Sequence, residues 1–242
     1  MTRVGIITQA RMTSTRLPGK VLLHAGGRTM LEHHLRRLGA AGVQIAVATT
    51  VNDTDDPIVE AAGRFGAPVF RGSESDVLSR FVGAADALGL DVVVRVTSDC
   101  PLIDGDVVAQ GIAAFLQCDD PAAYVSNTVE RSYPRGFDFE VFSTEALRGA
   151  AERATDPEDR EHVTPYLHRN RSGRVMTSSI TRESDASGYR VTLDTTEDLA
   201  LIRALIEDHG AAGLSADGII DVLDRHPQLV AINALVEQKK LR

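Results

Sequence analysis

A chain of 242 residues with 43% hydrophobic and 25% charged content is long enough for one α/β domain with a sizeable core. Its net charge of −8 argues against a nucleic-acid polymer as partner, and no apolar run approaches the roughly 18 to 20 residues of a membrane span. Cys100 and Cys118 lack Cys-x-x-Cys spacing, and Met1-Thr2-Arg3 leads straight into an apolar run, which fits a cytoplasmic protein without a signal peptide.

In chain order, short apolar stretches rich in β-branched residues predict strands at 4–8, 44–50, 67–71 and 91–97. Helical patterns lie between and after them at 29–41, 54–65, 76–88 and 105–117, the last capped by Asp104 or Gly105. Strict alternation of this kind predicts a mainly parallel sheet flanked by helices. The rhythm breaks after residue 120. Residues 121–143 read as irregular, with a turn at Tyr133-Pro134-Arg135-Gly136 and a strand at 137–142. A helix at 144–153 follows, then a polar run at 155–162 with Pro157 suited to a first helical turn. Strands at 174–180 and 189–193 and helices at 195–208 and 215–224 close the chain. This predicts one domain over 1–242 with an inserted subregion at 121–185.

The loop after the first strand carries the most information: Gln9-Ala10-Arg11-Met12-Thr13-Ser14-Thr15-Arg16-Leu17-Pro18-Gly19-Lys20. Residues 1–37 hold seven basic residues against one acid, Glu32, so a local basic funnel sits on an acidic chain. That suits a small polyanion such as a triphosphate, and the carboxyl end of a parallel strand is where α/β proteins bind ligands. Arg36 and Arg37 are set aside as the solvated face of a helix. The loop is not a P-loop, because Ser14 and Val21 stand where that motif needs Gly and Ser or Thr. No G-x-G-x-x-G follows the strand either. Pro18 instead extends Leu17, and Gly19 permits a tight turn that can aim backbone amides at an anion.

Two further strands end in a carboxylate, at Thr97-Ser98-Asp99-Cys100-Pro101 and at Thr192-Leu193-Asp194-Thr195. Asp194 or Thr195 could equally cap the next helix. Two strand-end aspartates beside a polyanion loop are what Mg²⁺ requires, since it takes one or two carboxylates and completes its shell with phosphates and water. His24, His33 and His34 lack metal-ligand spacing and are expected at the surface.

Arg11-x-x-Ser14-Thr15-Arg16-Leu17-Pro18-Gly19-Lys20, Ser98-Asp99-Cys100-Pro101 and Leu193-Asp194-Thr195-x-Glu197-Asp198-Leu199 resemble the acidic-sugar cytidylyltransferases, the group of CMP-Kdo synthetase and acylneuraminate cytidylyltransferase. Phe70-Arg71-Gly72-Ser73-Glu74, Tyr124-Val125-Ser126-Asn127-Thr128 and Arg160-Glu161-His162-Val163-Thr164-Pro165-Tyr166 are most similar to its spore-coat polysaccharide (SpsF-like) branch. The resemblance implies an α/β Rossmann-like nucleotide-diphospho-sugar transferase (GT-A-like) fold with a dimerisation insertion. It implies CTP as donor, Mg²⁺ as cofactor, an acidic small-molecule acceptor and a homodimer. On it, Arg11, Arg16 and Lys20 hold the triphosphate, with Gln9, Ala10 and Ser14 completing the loop's contribution. Asp99 and Asp194 ligate metal, and Arg11, Lys20, Asp99 and Asp194 carry catalysis. Arg71, Ser73 and Asp76 lie by base and ribose, with Thr49 and Thr50 lining that pocket. Asn127, Arg135, Asp138, Glu140, Arg160, His162 and Tyr166 face the acceptor. Cys100 departs from the family pattern, which often places Glu there.

The acceptor is left open among acidic sugars, sugar phosphates and phosphonates; Arg131, Arg135, Arg160 and Arg169 could serve any of them. Another class remains open as well, a glycosyltransferase of similar fold using a preformed sugar nucleotide. Asp104-Gly105-Asp106 has the Asp-x-Asp spelling of that class but falls at a helix start. A CTP-sensing protein without turnover is disfavoured by intact Lys20, Asp99 and Asp194.

Overall fold

A computed structural model describes residues 2–238. Its elements in chain order are β1 (Val4–Gln9), β2 (His24–Ala25), β3 (Arg28–Thr29), α1 (Met30–Leu38), β4 (Gln44–Thr50), α2 (Asp56–Phe65), β5 (Val69–Gly72), α3 (Val77–Leu88), β6 (Val92–Thr97) and α4 (Gly105–Cys118). They continue as β7 (Ala123–Ser126), β8 (Glu140–Ser143), α5 (Thr144–Arg153), α6 (Pro157–His162), α7 (Pro165–His168), β9 (Met176–Ser179), α8 (Thr196–Glu207), α9 (Ala216–Arg225) and α10 (Pro227–Ile232).

Seven strands form one sheet in the order β5-β4-β1-β6-β8-β7-β9, beside a small β2–β3 hairpin. β8 runs against both its neighbours and the other pairings are parallel. The side-chain alternation of strands divides the core. Ile6, Val94, Val96, Val125 and Val141 face a layer built from α4, α8 and α9. Ile7, Val93, Tyr124 and Phe142 face α3, α5 and α7 on the opposite side. Val47 packs with Leu31 and Leu35 of α1 and Ile58 and Ala62 of α2. Among the described residues no helix is long and apolar enough to cross a membrane.

Chain order and strand order diverge at β1. The chain leaves β1 for β4 and β5 on one side, then returns to β6 on the other. The crevice outside the carboxyl ends of β1 and β6 is therefore the topological switch point, where open α/β sheets bind ligands. Gln9 and Thr97, the last residues of these strands, are register partners and mark its floor.

Several sequence expectations shift in the structure. The strand at 137–142 becomes Glu140–Ser143. Residues 137–139 are taken out of the ladder by the Asn127 side chain, which donates to Phe137 O (2.8 Å) and accepts from Phe139 N (3.1 Å). The segment at 189–193 makes only an isolated bridge, Arg135 to Arg190, because it then turns onto the Asp99 carbonyl, which accepts from Leu193 N (2.7 Å). β7 lies inside a stretch expected to be irregular. Asp104 is the cap of α4, accepting from Asp106 N and Val107 N. Thr195 caps α8 in a capping box with Asp198.

His33 and His34 are buried rather than at the surface, at 2% and 0% exposure. The lack of metal-ligand spacing suggested surface positions, but α1 lies between the loop carrying Cys100 and the β2–β3 hairpin, whose carbonyls meet the two rings. Arg37 is likewise no solvated face. Its guanidinium donates to the carbonyls of Ile103, Ala211, Ala212 and Leu214, tying together two segments distant in sequence.

His34 also gives a pH dependence. Its Nδ1 lies 2.8 Å from the Cys100 carbonyl, which can only accept, so that nitrogen carries the proton. Nε2 then accepts from Thr8 Oγ1 at 2.8 Å. Burial lowers the His34 pKa to about 4, against smaller opposing effects of the Cys100 hydrogen bond and Asp99. The unfolded chain binds a proton near pH 6.5 that the folded protein refuses until about pH 4. Stability should fall as pH drops through that window, by on the order of 3 kcal/mol. Urea unfolding at pH 7 and pH 4.5 measures it, and His34→Asn should flatten this component. An unchanged pH slope in that variant would show that His34 does not carry it.

Candidate functional site

The loop after β1 is closed by short-range backbone bonds. Gly19 N and Ser14 N both donate to Met12 O, at 2.9 and 3.0 Å. Gly19 has φ +68°, a left-handed conformation that glycine adopts without strain, and it starts the 3₁₀ turn that brings Lys20 inward. The loop is tied down by the buried Asp55 carboxylate, whose Oδ1 accepts from Met12 N at 2.8 Å. Asp55 Oδ2 accepts from Thr49 Oγ1 (3.0 Å), Thr50 N and Thr50 Oγ1 (2.6 Å). Thr49 and Thr50 are thus fully buried behind the loop and do not line a pocket; they hold the residue that holds the loop. Burial pushes the Asp55 carboxyl up, but these donors outweigh it and hold it below the usual range.

Lys20 Nζ bridges the two strand-end carboxylates, 2.9 Å from Asp99 Oδ2 and 2.8 Å from Asp194 Oδ1. Asp194 Oδ2 is met by Arg16 at 3.0 Å and by Arg190 at 2.9 Å. Burial alone would raise the Asp99 carboxyl, but the Lys20 charge and hydrogen bond, with Thr97 and His34, hold it at about 2. Burial opposes the Lys20 ammonium, and its two carboxylate partners outweigh that and raise its pKa. Asp99 and Lys20 are therefore both charged at neutral pH.

These groups line a cavity of about 280 Å³ together with Gln9, Ala10, Arg11, Ser14, Glu161 and His162. Arg11, Ser14, Arg16, Lys20, Asp99 and Asp194, far apart in sequence, are brought together there. Gln9 lines this cavity, and its buried Oε1 has no hydrogen-bond partner among the described residues. Two convergent carboxylates with a spare amide oxygen are a hard-oxygen donor set. Among the described residues no group of three or more His, Cys, Asp or Glu is placed so that it could hold a metal ion. That combination suits a cation such as Mg²⁺, which draws its remaining ligands from phosphates, better than a metal caged by protein alone.

On the β5 side, Asp76 is the expected base and ribose residue that reaches the rim. Arg71 donates to Thr50 O (2.9 Å) and Asn52 O (2.8 Å) and pairs with Asp56 at 2.7 Å. Ser73 Oγ accepts from Asp76 N, and Asp76 caps α3 by accepting from Ser79 N. Asp76 also pairs with Arg160. Asp76 and Arg160, with Arg11 and Glu74, line a groove beside the main cavity. Ser73 and Arg71 lie behind that rim.

The expected acceptor residues separate. His162 lines the main cavity, a wide cleft that also contains Arg16, Arg95 and Arg135, and a pocket of about 240 Å³ with Arg95, Thr128, Arg131, Asp138, Glu140 and His168. Asn127 and Tyr166 are corrections. Asn127 is fully buried and spent on residues 137–139, and Tyr166 packs in the core with Leu167 and Phe142. Every charge in the small pocket is paired: Arg95 with Glu140, and Arg131 with Asp138 through two bonds of 2.6 and 2.9 Å. Burial lowers the pKa of both His162 and His168, which keeps them neutral at pH 7. Arg135 lines the cleft and makes no ion pair among the described residues; burial and the neighbouring Arg131 lower its pKa, Arg190 adding to this and Asp138 opposing it. Gly136, at φ +111°, lets this turn approach the next segment, since a Cβ there would lie 2.7 Å from the Val191 carbonyl carbon.

Sequence reasoning missed Arg190, Glu161 and Arg95. Arg190 and Arg95 sit inside strand-like runs, where a charged residue at a strand end was the available signal. Asp104 of the Asp-x-Asp spelling is a structural cap that also bonds Ala216 N across the fold, and neither it nor Asp106 lines the cleft.

A mostly parallel sheet with a cation loop and paired carboxylates at its switch point defines a nucleotide-handling transferase of Rossmann-like architecture. A family profile described as cytidylyltransferase matches residues 5–239. The chain is 33% identical to the spore coat polysaccharide biosynthesis protein SpsF of Bacillus subtilis, over 94% of this chain and 96% of that protein. It is 37% identical to the uncharacterized protein MJ1063 of Methanocaldococcus jannaschii, over 99% and 97%. Among solved structures, a cytidylyltransferase from Leptospira borgpetersenii aligns over the full length of both chains with TM-score 0.91 and 34% identity. A CMP-2-keto-3-deoxy-manno-octonic acid synthetase complexed with CTP shares the fold, at TM-score 0.62 and 22% identity over 86% of this chain and all of that one. The chain belongs to the cytidylyltransferase family and is a CTP-dependent nucleotidyltransferase.

Proposed function

We propose that this protein transfers CMP from CTP to an acidic sugar or related anionic small molecule, releasing pyrophosphate. The observation that carries this reading is the Lys20 bridge between Asp99 and Asp194 at the mouth of the cation loop. One cavity thereby offers cations for a triphosphate and hard oxygens for a metal.

The acceptor oxygen attacks the α-phosphorus, and the bond to the pyrophosphate oxygen breaks. Arg11, Arg16 and Lys20 receive the charge that builds on the leaving group, so the loop both binds and stabilises the departing pyrophosphate. Lys20 turns from the carboxylates to the phosphates as CTP enters. Asp99 and Asp194 would hold Mg²⁺, which when bound supplies charge neutralisation on the phosphoryl oxygens and acidity to a coordinated oxygen. His162, neutral and shared between the main cavity and the small pocket, can accept the acceptor's hydroxyl proton at a ring nitrogen. Arg135, which has no carboxylate partner among the described residues, can take the acceptor's anionic group. The charge-balanced small pocket suits an uncharged polar portion of the same molecule.

A screen of nucleoside triphosphates against acidic sugars, sugar phosphates and phosphonates, followed by pyrophosphate release, tests the reading. CTP-dependent release with an acidic sugar is expected. Release with ATP but not CTP would overturn it, and turnover of a preformed sugar nucleotide without pyrophosphate would identify a glycosyltransferase instead.

A further inference from the structure

We propose that Arg190 is a positioning residue that fixes the Asp194 carboxylate for cation binding; the inference rests on the cytidylyl-transfer reading above. Asp99 follows directly on β6, whose ladder with β1 fixes its backbone. Asp194 has no ladder of this kind: the segment before it is held by the isolated Arg135–Arg190 bridge and by Leu193 N donating to the Asp99 carbonyl (2.7 Å), and neither fixes the Asp194 side chain. Side chains supply the missing constraint.

Asp198, fully buried, accepts from the backbone N–H groups of Asp194 (2.9 Å) and Thr195 (3.1 Å) and so sets the main chain. Arg190 joins that anchor to the Asp194 side chain. Its Nη2 lies 2.9 Å from both Asp198 Oδ2 and Asp194 Oδ2, and its Nε lies 2.9 Å from Asp198 Oδ1. Asn233 locks the frame from α10's end, donating to Asp198 Oδ1 (2.8 Å) and to the Arg190 carbonyl (3.1 Å). Arg190 and Arg16 occupy Oδ2, which turns Oδ1 toward Lys20 and the cavity.

Helix capping does not account for this frame. The Thr195 hydroxyl already accepts from Asp198 N, and a neutral residue could serve the cap. Enclosing two carboxylates around one buried guanidinium carries a desolvation cost that a cap does not require. What the guanidinium adds is a fixed Asp194 rotamer with one oxygen presented to the cleft, the task of the outer partners of a metal ligand.

The test is Mn²⁺ titration, read by electron paramagnetic resonance, of the full chain with saturating CTP, alongside steady-state kinetics. The double variant R190M/D198N removes the charged pair as a unit, so no buried charge is stranded. It should bind Mn²⁺ about 10- to 100-fold more weakly, with kcat falling in step. KM for CTP should stay within about threefold, since Arg190 is not among the residues lining the cation-loop cavity. Arg190→Lys, which keeps the charge but not the fork, should fold and show an intermediate Mn²⁺ affinity. Wild-type Mn²⁺ affinity in folded R190M/D198N, or in R190K should the double variant not fold, overturns the assignment. A wild-type protein that binds no Mn²⁺ with CTP and releases no pyrophosphate would instead remove the cytidylyl reading itself.

Discussion

Asp99→Ala should lower pyrophosphate release from CTP, with an acceptor the wild-type protein turns over, by at least about 10²- to 10³-fold. The carboxylate sits at the end of β6 with its pKa held at about 2, so it is ionised throughout the working range. It is half of the pair of oxygens that converge on Lys20. Removing it takes away a negative charge exactly opposed by Lys20, yet Asp194 still pairs the lysine at 2.8 Å. The lysine is therefore not stranded, and activity should fall far more than stability does. That split separates a reacting-centre role from a structural one. Near-normal turnover in purified Asp99→Ala would remove Asp99 from the mechanism.

Glu140→Ala should have the opposite signature, a loss of about 3–5 kcal/mol of stability, the scale of breaking a buried pair from one side. Glu140 is buried at the start of β8, where its Oε1 accepts from Tyr124 Oη and Thr164 Oγ1, both at 2.6 Å. Its other oxygen pairs with Arg95 of β6. Burial raises the Glu140 carboxyl, and Arg95 with the two hydroxyls outweighs that and holds it below its usual value. Truncation would strand the Arg95 charge and two hydroxyls, each of which loses a partner it cannot regain from water. The double variant R95M/E140L, which removes the charges together, should cost clearly less than the single one. Guanidinium unfolding reads both. A loss under about 1 kcal/mol for Glu140→Ala would show that the pair does not hold β6 to β8.

The strand and helix rhythm of the first 120 residues was legible because β1, β4 and β6 are largely buried and three of the four helices there, α1, α3 and α4, carry a capping side chain. Thr29, Asp76 and Asp104 all accept from backbone N–H groups at the helix starts where local chemistry places them. The loop of residues 9–20 was legible for the same reason, since its cations, Pro18 and Gly19 act locally. Beyond residue 120 the local signals weaken. β7 is four residues long, and residues 137–139 spend their backbone groups on Asn127, a partner ten or more positions away. A residue type that could have faced a ligand was consumed by the fold, and no spacing rule announces that. Thr49 and Thr50 went the same way, toward Asp55.

By itself the sequence determined the parallel core, the cation loop after β1 and the aspartate that follows β6, because these depend on neighbours a few residues apart; the strand expected before Asp194 is only an isolated bridge. Only the tertiary structure decided what those residues do to one another. Lys20 reaches Asp99 and Asp194 across 79 and 174 positions, and Arg190 turns Asp194 toward them. His33, His34 and Arg37 are drawn inside by segments that approach α1 from elsewhere in the chain. Charge and burial are set by what lies close in space, and the sheet's reversal at β1 brings those distant segments together.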